Sequence, residues 1–560
     1  MTRASQAQAA GGAAEQAEAR TVLRFLGPGD PDPTDPASPF TIRPGQILRL
    51  LTRTPFGYRA SVECSGPQEA SAPVPDLAVE LPTEANGGIS PDGTTYLIRL
   101  RSDVDWDTPL PRRVTAGDIV RGLKRAALPT AAAFRHYLTE TIEGMAGYCA
   151  DHVAEFGDTE PTAPALAQFS ASRPVAGLSA VDEWTLRVQL VEPARDLPHI
   201  LATAVAAAAP REYDYYLPDS RELLPNTPSA GPYRFVRTFA PGPDLLFEPN
   251  PRWRSETDPI RQRYADAIQV RAATGTGRPQ LDGLDVAWTF GTVSWHPGPA
   301  DTAGYPGQVF GPYLVFNLRN PTGDAVRDLA VRQGLAAAID QAAVVEVVNR
   351  ATGGAARPQH GMLLPGSPGH AGAGPGSGAG SEPAARRSDH SLAGELLARA
   401  GQRRLRLVLA VPRSELHWRV ARAIGESLWP CGITMHIRSY PSAGYHDVLQ
   451  ATAGAGGWDF ALADWAPLWP GDNGRTAVAP LLRGGSQPGV ANAGWYSDES
   501  VDRCIASALR EPDTARAAAL WQEVDAQVAR DLPVLPLAAM SGPAAAARCA
   551  ATSWLVGPSR

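Results

Sequence analysis

At 560 residues, with 44% hydrophobic and 19% charged side chains, the chain has the composition of a globular protein long enough for a deep core. At about 150 residues per unit that length corresponds to three or four domain-sized pieces. The balance of 51 Lys and Arg against 58 Asp and Glu, a net charge of −7, argues against nucleic acid as the main partner, because phosphate binding needs a concentrated basic surface. No run of about 18 apolar residues is present, so no segment reads as a membrane-spanning helix.

Met1–Arg20 contains no Leu, Ile, Val, Phe or Cys and reads as a disordered or loosely helical tail ahead of a first strand, Thr21–Leu26. Asp92-Gly93 is a turn signal, and Tyr96, Ile98 and Leu100 alternate as a strand does. Thr115 is placed as a helix N-cap, with Asp118 three residues on in the reciprocal capping position. Trp184–Pro193 (WTLRVQLVEP) reads as a strand stopped by proline. Ala230–Phe235 (AGPYRF), Phe247–Trp253 (FEPNPRW) and Leu281–Ala287 (LDGLDVA) follow.

Tyr313–Asn317 (YLVFN) is a short apolar strand running into Asp324–Ile339. There, Leu329, Val331, Leu335, Ala338 and Ile339 fall near helical spacing, and Asp328 stands where it serves the first turn. Gly361–Arg387, rich in Gly, Pro, Ser and Ala, reads as a flexible surface loop before a helix at Ser391–Ala400. Trp495–Leu537 carries a pair of helices and a closing strand.

Nucleophile, phosphate and metalloprotease motifs are absent from the sequence. His360, His370 and His390 are spaced too far apart in a Gly-rich stretch to preorganise a metal site. Cys64, Cys149, Cys431, Cys504 and Cys549 show no C-x-x-C pairing and read as small hydrophobes. No cofactor, metal or haem is expected, and catalysis is left undecided.

These blocks, in this order from about residue 40 to about residue 545, resemble the signatures of the extracellular solute-binding proteins of family 5, the peptide, oligopeptide and nickel receptors of ABC importers. The strand ending in Asn, the helix entered through Asp and closed by Ala-Ile-Asp, and Pro91–Arg125 carry most of the likeness. The resemblance implies an α/β, two-lobed periplasmic-binding-protein-like fold (type II, cluster C) with an extra insertion domain in the first lobe. The first lobe would span 21–275 with the insertion at about 50–180, and crossovers would lie near 271–283 and 490–510. The second lobe would span 284–495, and 505–560 would return to the first. It further implies a monomer that traps a peptide or small solute between its lobes and presents it to a membrane permease.

In such proteins the loop matching Asp464–Asn473 (DWAPLWPGDN) places an Asp three residues after its Trp to hold an α-amino group. Here Trp465 matches that Trp, but Leu468 stands where the Asp would be. Asp464 or Asp472 can substitute, or Asp464 is a strand-end carboxylate bonded locally. Trp465, Trp469, Tyr445 and His446 are the aromatic candidates for the cleft. Asn317 either lines it or caps the loop that follows.

The resemblance implies an exported receptor at the outer face of the membrane. The sequence as it begins lacks a signal region and reads as cytoplasmic. The second reading is therefore a cytoplasmic member of the fold recruited as a carrier or as an enzyme. Condensation or Pictet–Spengler-type cyclisation is one form, with Asp464 or Asp472 as general acid or base.

Overall fold

The structure is a computed structural model. It describes residues 22–541 except 29–34, 37–47, 60–63, 65–68, 129–131, 237–244, 274–285, 290–291, 295–307, 322–323, 353–355, 365–366, 371–383, 470–473, 486–488 and scattered single positions. The tail Met1–Arg20 and the residues after Ser541 lie outside the described residues.

The first lobe is built on a six-stranded sheet. Strand β1 (Val22–Pro28) starts it, and the chain then leaves to form an insertion. The insertion contains β2 (Thr95–Arg99), α1 (Ala116–Ala126), α2 (Ala132–Thr141), β3 (Leu178–Asp182) and β4 (Thr185–Gln189). It has its own core, running from Phe56 to Ala230 and including Trp106, Leu123, Leu138 and Leu186. That core reaches about fifty residues beyond the expected 50–180 segment. The chain returns through β5 (Tyr233–Val236), β6 (Leu245–Pro249), β7 (Ala267–Ala273), β8 (Val286–Thr289) and β9 (Thr292–Ser294), giving the order β9-β8-β1-β7-β6-β5.

Local chemistry explains several starts. The Thr115 backbone N–H donates to the Asp118 carboxylate at 3.0 Å, so half of the predicted capping box opens α1. At the base of the insertion, Arg53, Asp76, Asp258 and Arg261 form a buried network. Arg53 Nε donates to Asp76 Oδ1 at 2.7 Å, and Arg261 donates to Asp76 Oδ2 at 2.8 Å. Burial opposes the Asp258 charge, but Arg261 and Arg53 outweigh it and hold the carboxyl well below its usual range.

The second lobe's sheet comprises β10 (Gln308–Phe316), β11 (Ala356–Pro358), β12 (Leu405–Pro412), β13 (Ile433–Tyr440), β14 (Phe460–Trp465), β15 (Val534–Pro536) and β16 (Ala538–Ser541). Its order is β11-β16-β10-β14-β12-β13, with β15 also pairing β10. Its helices include α3 (Leu329–Ala338), α4 (Glu415–Leu428), α5 (Tyr445–Thr452), α6 (Glu499–Arg510) and α7 (Thr514–Asp531).

Strand β10 is buried on both faces, which is why YLVFN is continuously apolar. Tyr313 and Val315 enter one core, and Leu314 and Phe316 enter the other. Asp328 caps α3 by accepting from the Ala330 N–H at 2.8 Å.

Two further boundaries differ from expectation. Strands β8 and β9 belong to the first sheet, so the change of lobe falls after Ser294 and before Gln308, later than 284. The described part of the carboxy-terminal segment, 505–541, does not return to the first lobe: β15 and β16 pair antiparallel with β10. Helices α6 and α7 bury Val501, Ile505, Trp521 and Val524 in the second lobe's core. The reason is that β14 covers only one edge of β10, and α7 delivers strands to the other edge. The Gly361–Arg387 stretch is anchored at both ends. Met362, Leu363 and Leu364 are buried, and Arg386 donates to Gln341 and to the Pro536 carbonyl.

Candidate functional site

The lobes meet along a seam built mostly from α2 and the segment after β14. Trp469 belongs to the second lobe but is 2% exposed inside the insertion's core. Its ring meets Tyr137 of α2 edge-on, with centroids 5.4 Å apart. Arg475 Nε donates to Asp196 of the first lobe at 2.6 Å, both side chains being close to 90% buried. Arg483 makes a forked bond to Glu140 on α2, at 2.7 and 3.3 Å, and also donates to His136 Nε2 at 3.2 Å. Burial pushes the His136 pKa down, and an imidazole nitrogen accepting from a guanidinium has to be unprotonated. At the rim, Arg510 pairs with Glu192.

On the second lobe's side, β12 and β14 run parallel, so the start of α4, which follows β12, lies beside the carboxyl end of β14. This brings His417 to Asp464 across 47 residues of sequence, with Nε2 to Oδ2 at 2.7 Å. His446, at the start of α5, donates through Nε2 to the Asp464 carbonyl at 3.1 Å. Its ring meets Trp465 edge-on at 5.6 Å. Burial pushes the His446 pKa down and keeps it neutral. The phenols of Tyr445 and Tyr313 are pushed up, first by burial and then by charges that include Asp464. Trp465 donates its indole N–H to the Thr476 carbonyl.

Of the residues expected at the cleft, the fold gathers Asp464, Trp465, Tyr445 and His446 into one cluster, while Trp469 is packed into the seam. Asn317 stands apart: it is fully buried, its amide N–H groups donate to the Ala453 and Trp458 carbonyls, and its Oδ1 accepts from the Arg319 N–H. It caps the loop and does not join the cluster. Leu468 and Asp472 lie outside the described residues. Sequence reasoning missed His417, Tyr313, His136, Tyr137, Glu140, Asp196, Arg475 and Arg483, none of which carries a local signal. Among the described residues no group of three or more His, Cys, Asp or Glu could hold a metal ion.

The family profile of bacterial extracellular solute-binding proteins, family 5 (middle), matches residues 72–477. The chain belongs to this family. Solved structures agree with the family 5 fold. One is the clavulanic acid biosynthesis oligopeptide binding protein 2, 22% identical with a TM-score of 0.70, covering 94% of this chain and 92% of that one. Another is OppA of Burkholderia pseudomallei, 20% identical with a TM-score of 0.63 over 93% and 94%. A third is DppA of Helicobacter pylori in complex with the peptide STSA, 18% identical with a TM-score of 0.62 over 93% and 94%. No curated protein matches the chain.

Proposed function

We propose that the protein is the substrate-binding subunit of an ABC importer and closes its two lobes over a peptide or peptide-like solute at the outer face of the membrane. The observation that carries this reading is the seam. One loop of the second lobe plants Trp469 in the other lobe's core, while Arg475 and Arg483 pair across it, as a clamp that shuts over cargo requires. Similar structures whose names record oligopeptide binding or a bound peptide support the choice of cargo.

Calorimetric titration with pools of two- to five-residue peptides tests the reading. Saturable binding with a more compact solution scattering profile is expected. Absence of binding across the pools with an unchanged profile would overturn it. Fractionation of the producing cells, with the amino terminus read by mass spectrometry, tests the location.

A second reading, chemistry within the cleft, draws on the carboxylate-held imidazole of Asp464 and His417, an arrangement suited to accepting protons. Recovery of bound solute chemically unchanged after prolonged incubation would eliminate it.

A further inference from the structure

One histidine of the seam faces partners of opposite charge from different lobes. His136 and Glu140 stand one turn apart on α2 of the first lobe, with His136 Nε2 3.4 Å from Glu140 Oε2. Arg483 comes from the second lobe, and its Nη2 lies 3.2 Å from the same Nε2 and 2.7 Å from Glu140 Oε1. A single imidazole nitrogen either donates a hydrogen bond or accepts one. Without its proton, Nε2 accepts from Arg483. With the proton, it turns its N–H to Glu140 and sets a second cation against the guanidinium. The three side chains are 24–29% exposed, so water screens the contact only in part.

The remaining charges around His136 favour the same division. A cavity of about 10 Å³, about the size of one water, lies between α2 and the second lobe, and its titratable walls are His136, Tyr137, Glu140, Arg475 and Arg483. Its other walls are uncharged. Arg475 brings positive charge from the second lobe and is held by Asp196 at 2.6 Å. Tyr137 meets the His136 ring edge-on at 5.4 Å and stays neutral, because burial pushes its phenol up. Burial is the main force lowering the His136 pKa; Glu140 opposes it, and Arg483 and Arg475 add to the fall. Separation of the lobes reverses this balance. It returns His136 to water and takes both guanidinium groups away, while Glu140 stays beside it on α2.

We propose that His136, Glu140 and Arg483 form a proton-operated latch, in which closure of the lobes expels a proton from His136 and acidification reopens them. The open form binds the proton more tightly than the closed form, so a fall in pH through the imidazole range favours opening. Cargo that binds the closed form is held at neutral pH and released in acid, and by the same coupling its binding drives the proton off. This assignment rests on the solute-binding reading and adds the condition that governs release.

The test uses the full chain at pH 7.0 and 5.5, a window in which ordinary imidazoles titrate while carboxylates and peptide amino termini largely hold their charge. The probes are the pools of two- to five-residue peptides, read by calorimetry in two buffers of different ionisation enthalpy, with solution scattering of the peptide-free chain alongside. Affinity should fall about 5- to 10-fold between pH 7.0 and 5.5, with net proton release on binding, as one imidazole protonated only in the open form requires. His136→Gln keeps an acceptor for Arg483 but cannot titrate, and should remove the dependence. Arg483→Gln takes away the group that demands the lone pair, and should flatten the profile from the other side of the seam if the first variant does not fold.

Equal affinity at the two pH values in the wild-type chain would overturn the latch and leave peptide capture standing. A dependence that persists in both variants would assign it to other histidines and overturn the latch as well. If no peptide binds, scattering decides. A larger radius of gyration at pH 5.5 in the wild-type chain, absent in His136→Gln, would support the latch and overturn the peptide reading. An unchanged radius would overturn the latch.

Discussion

Asn317 shows how one side chain holds a junction. Both of its amide hydrogens go to carbonyls that precede β14, and its Oδ1 receives the Arg319 N–H, all without solvent contact. Asn317→Ala would strand those carbonyls and should cost about 2–3 kcal/mol in urea unfolding. Ligand binding per remaining folded molecule should be unaffected if its role is structural.

His199 illustrates a titration. Burial pushes its pKa down to about 4, against an opposing pull from Asp196, and Tyr58 shares a 2.8 Å hydrogen bond with Nδ1. The unfolded chain therefore binds the proton first, and stability is fully present above about pH 6.5. It is lost as the pH falls from there toward 4. His199→Gln should flatten the stability curve within that window. Any acid loss due to Asp258, whose carboxyl is depressed by Arg261 and Arg53, should remain at lower pH.

At the scale of elements, the starts and periods of helices and strands were legible because the forces that set them are local. Thr115 with Asp118, Asp328 ahead of Leu329, and the alternation of Tyr96 and Ile98 each act within a few residues. What was not legible is how elements dock. The short helix Gly474–Ala477 packs its first residue flat on the Trp521 ring of α7, and a Cβ at Gly474 would enter that ring. Gly474→Ala should destabilise by about 1–3 kcal/mol through overpacking. Because Arg475 follows directly, ligand affinity should fall along with stability. A variant that lost stability alone would show that the helix does not position the seam.

For the whole molecule the seam is the decisive feature. Arg475 and Asp196 are nearly buried, so removing the guanidinium leaves an uncompensated carboxylate at the interface. Arg475→Ala should shift the lobes toward separation, visible as a larger radius of gyration in solution scattering. It should also weaken ligand binding about 10-fold or more, as population shift requires. Unchanged scattering and affinity would remove Arg475 from the closing mechanism. Trp469→Ala should act in the same direction, through lost contact with Tyr137.

The sequence by itself determined the family, the order of the elements and the aromatic character of the Asp464 region, because those rest on local periodicity, caps and ordered motifs. Only the tertiary structure decided that the carboxy-terminal strands pair with β10 in the second lobe. It alone brought His417 to Asp464, sent Trp469 into the seam and turned Asn317 into a buried loop cap. Each of these depends on contacts between segments tens to hundreds of residues apart, where strand pairing and core packing, not local preference, set the outcome.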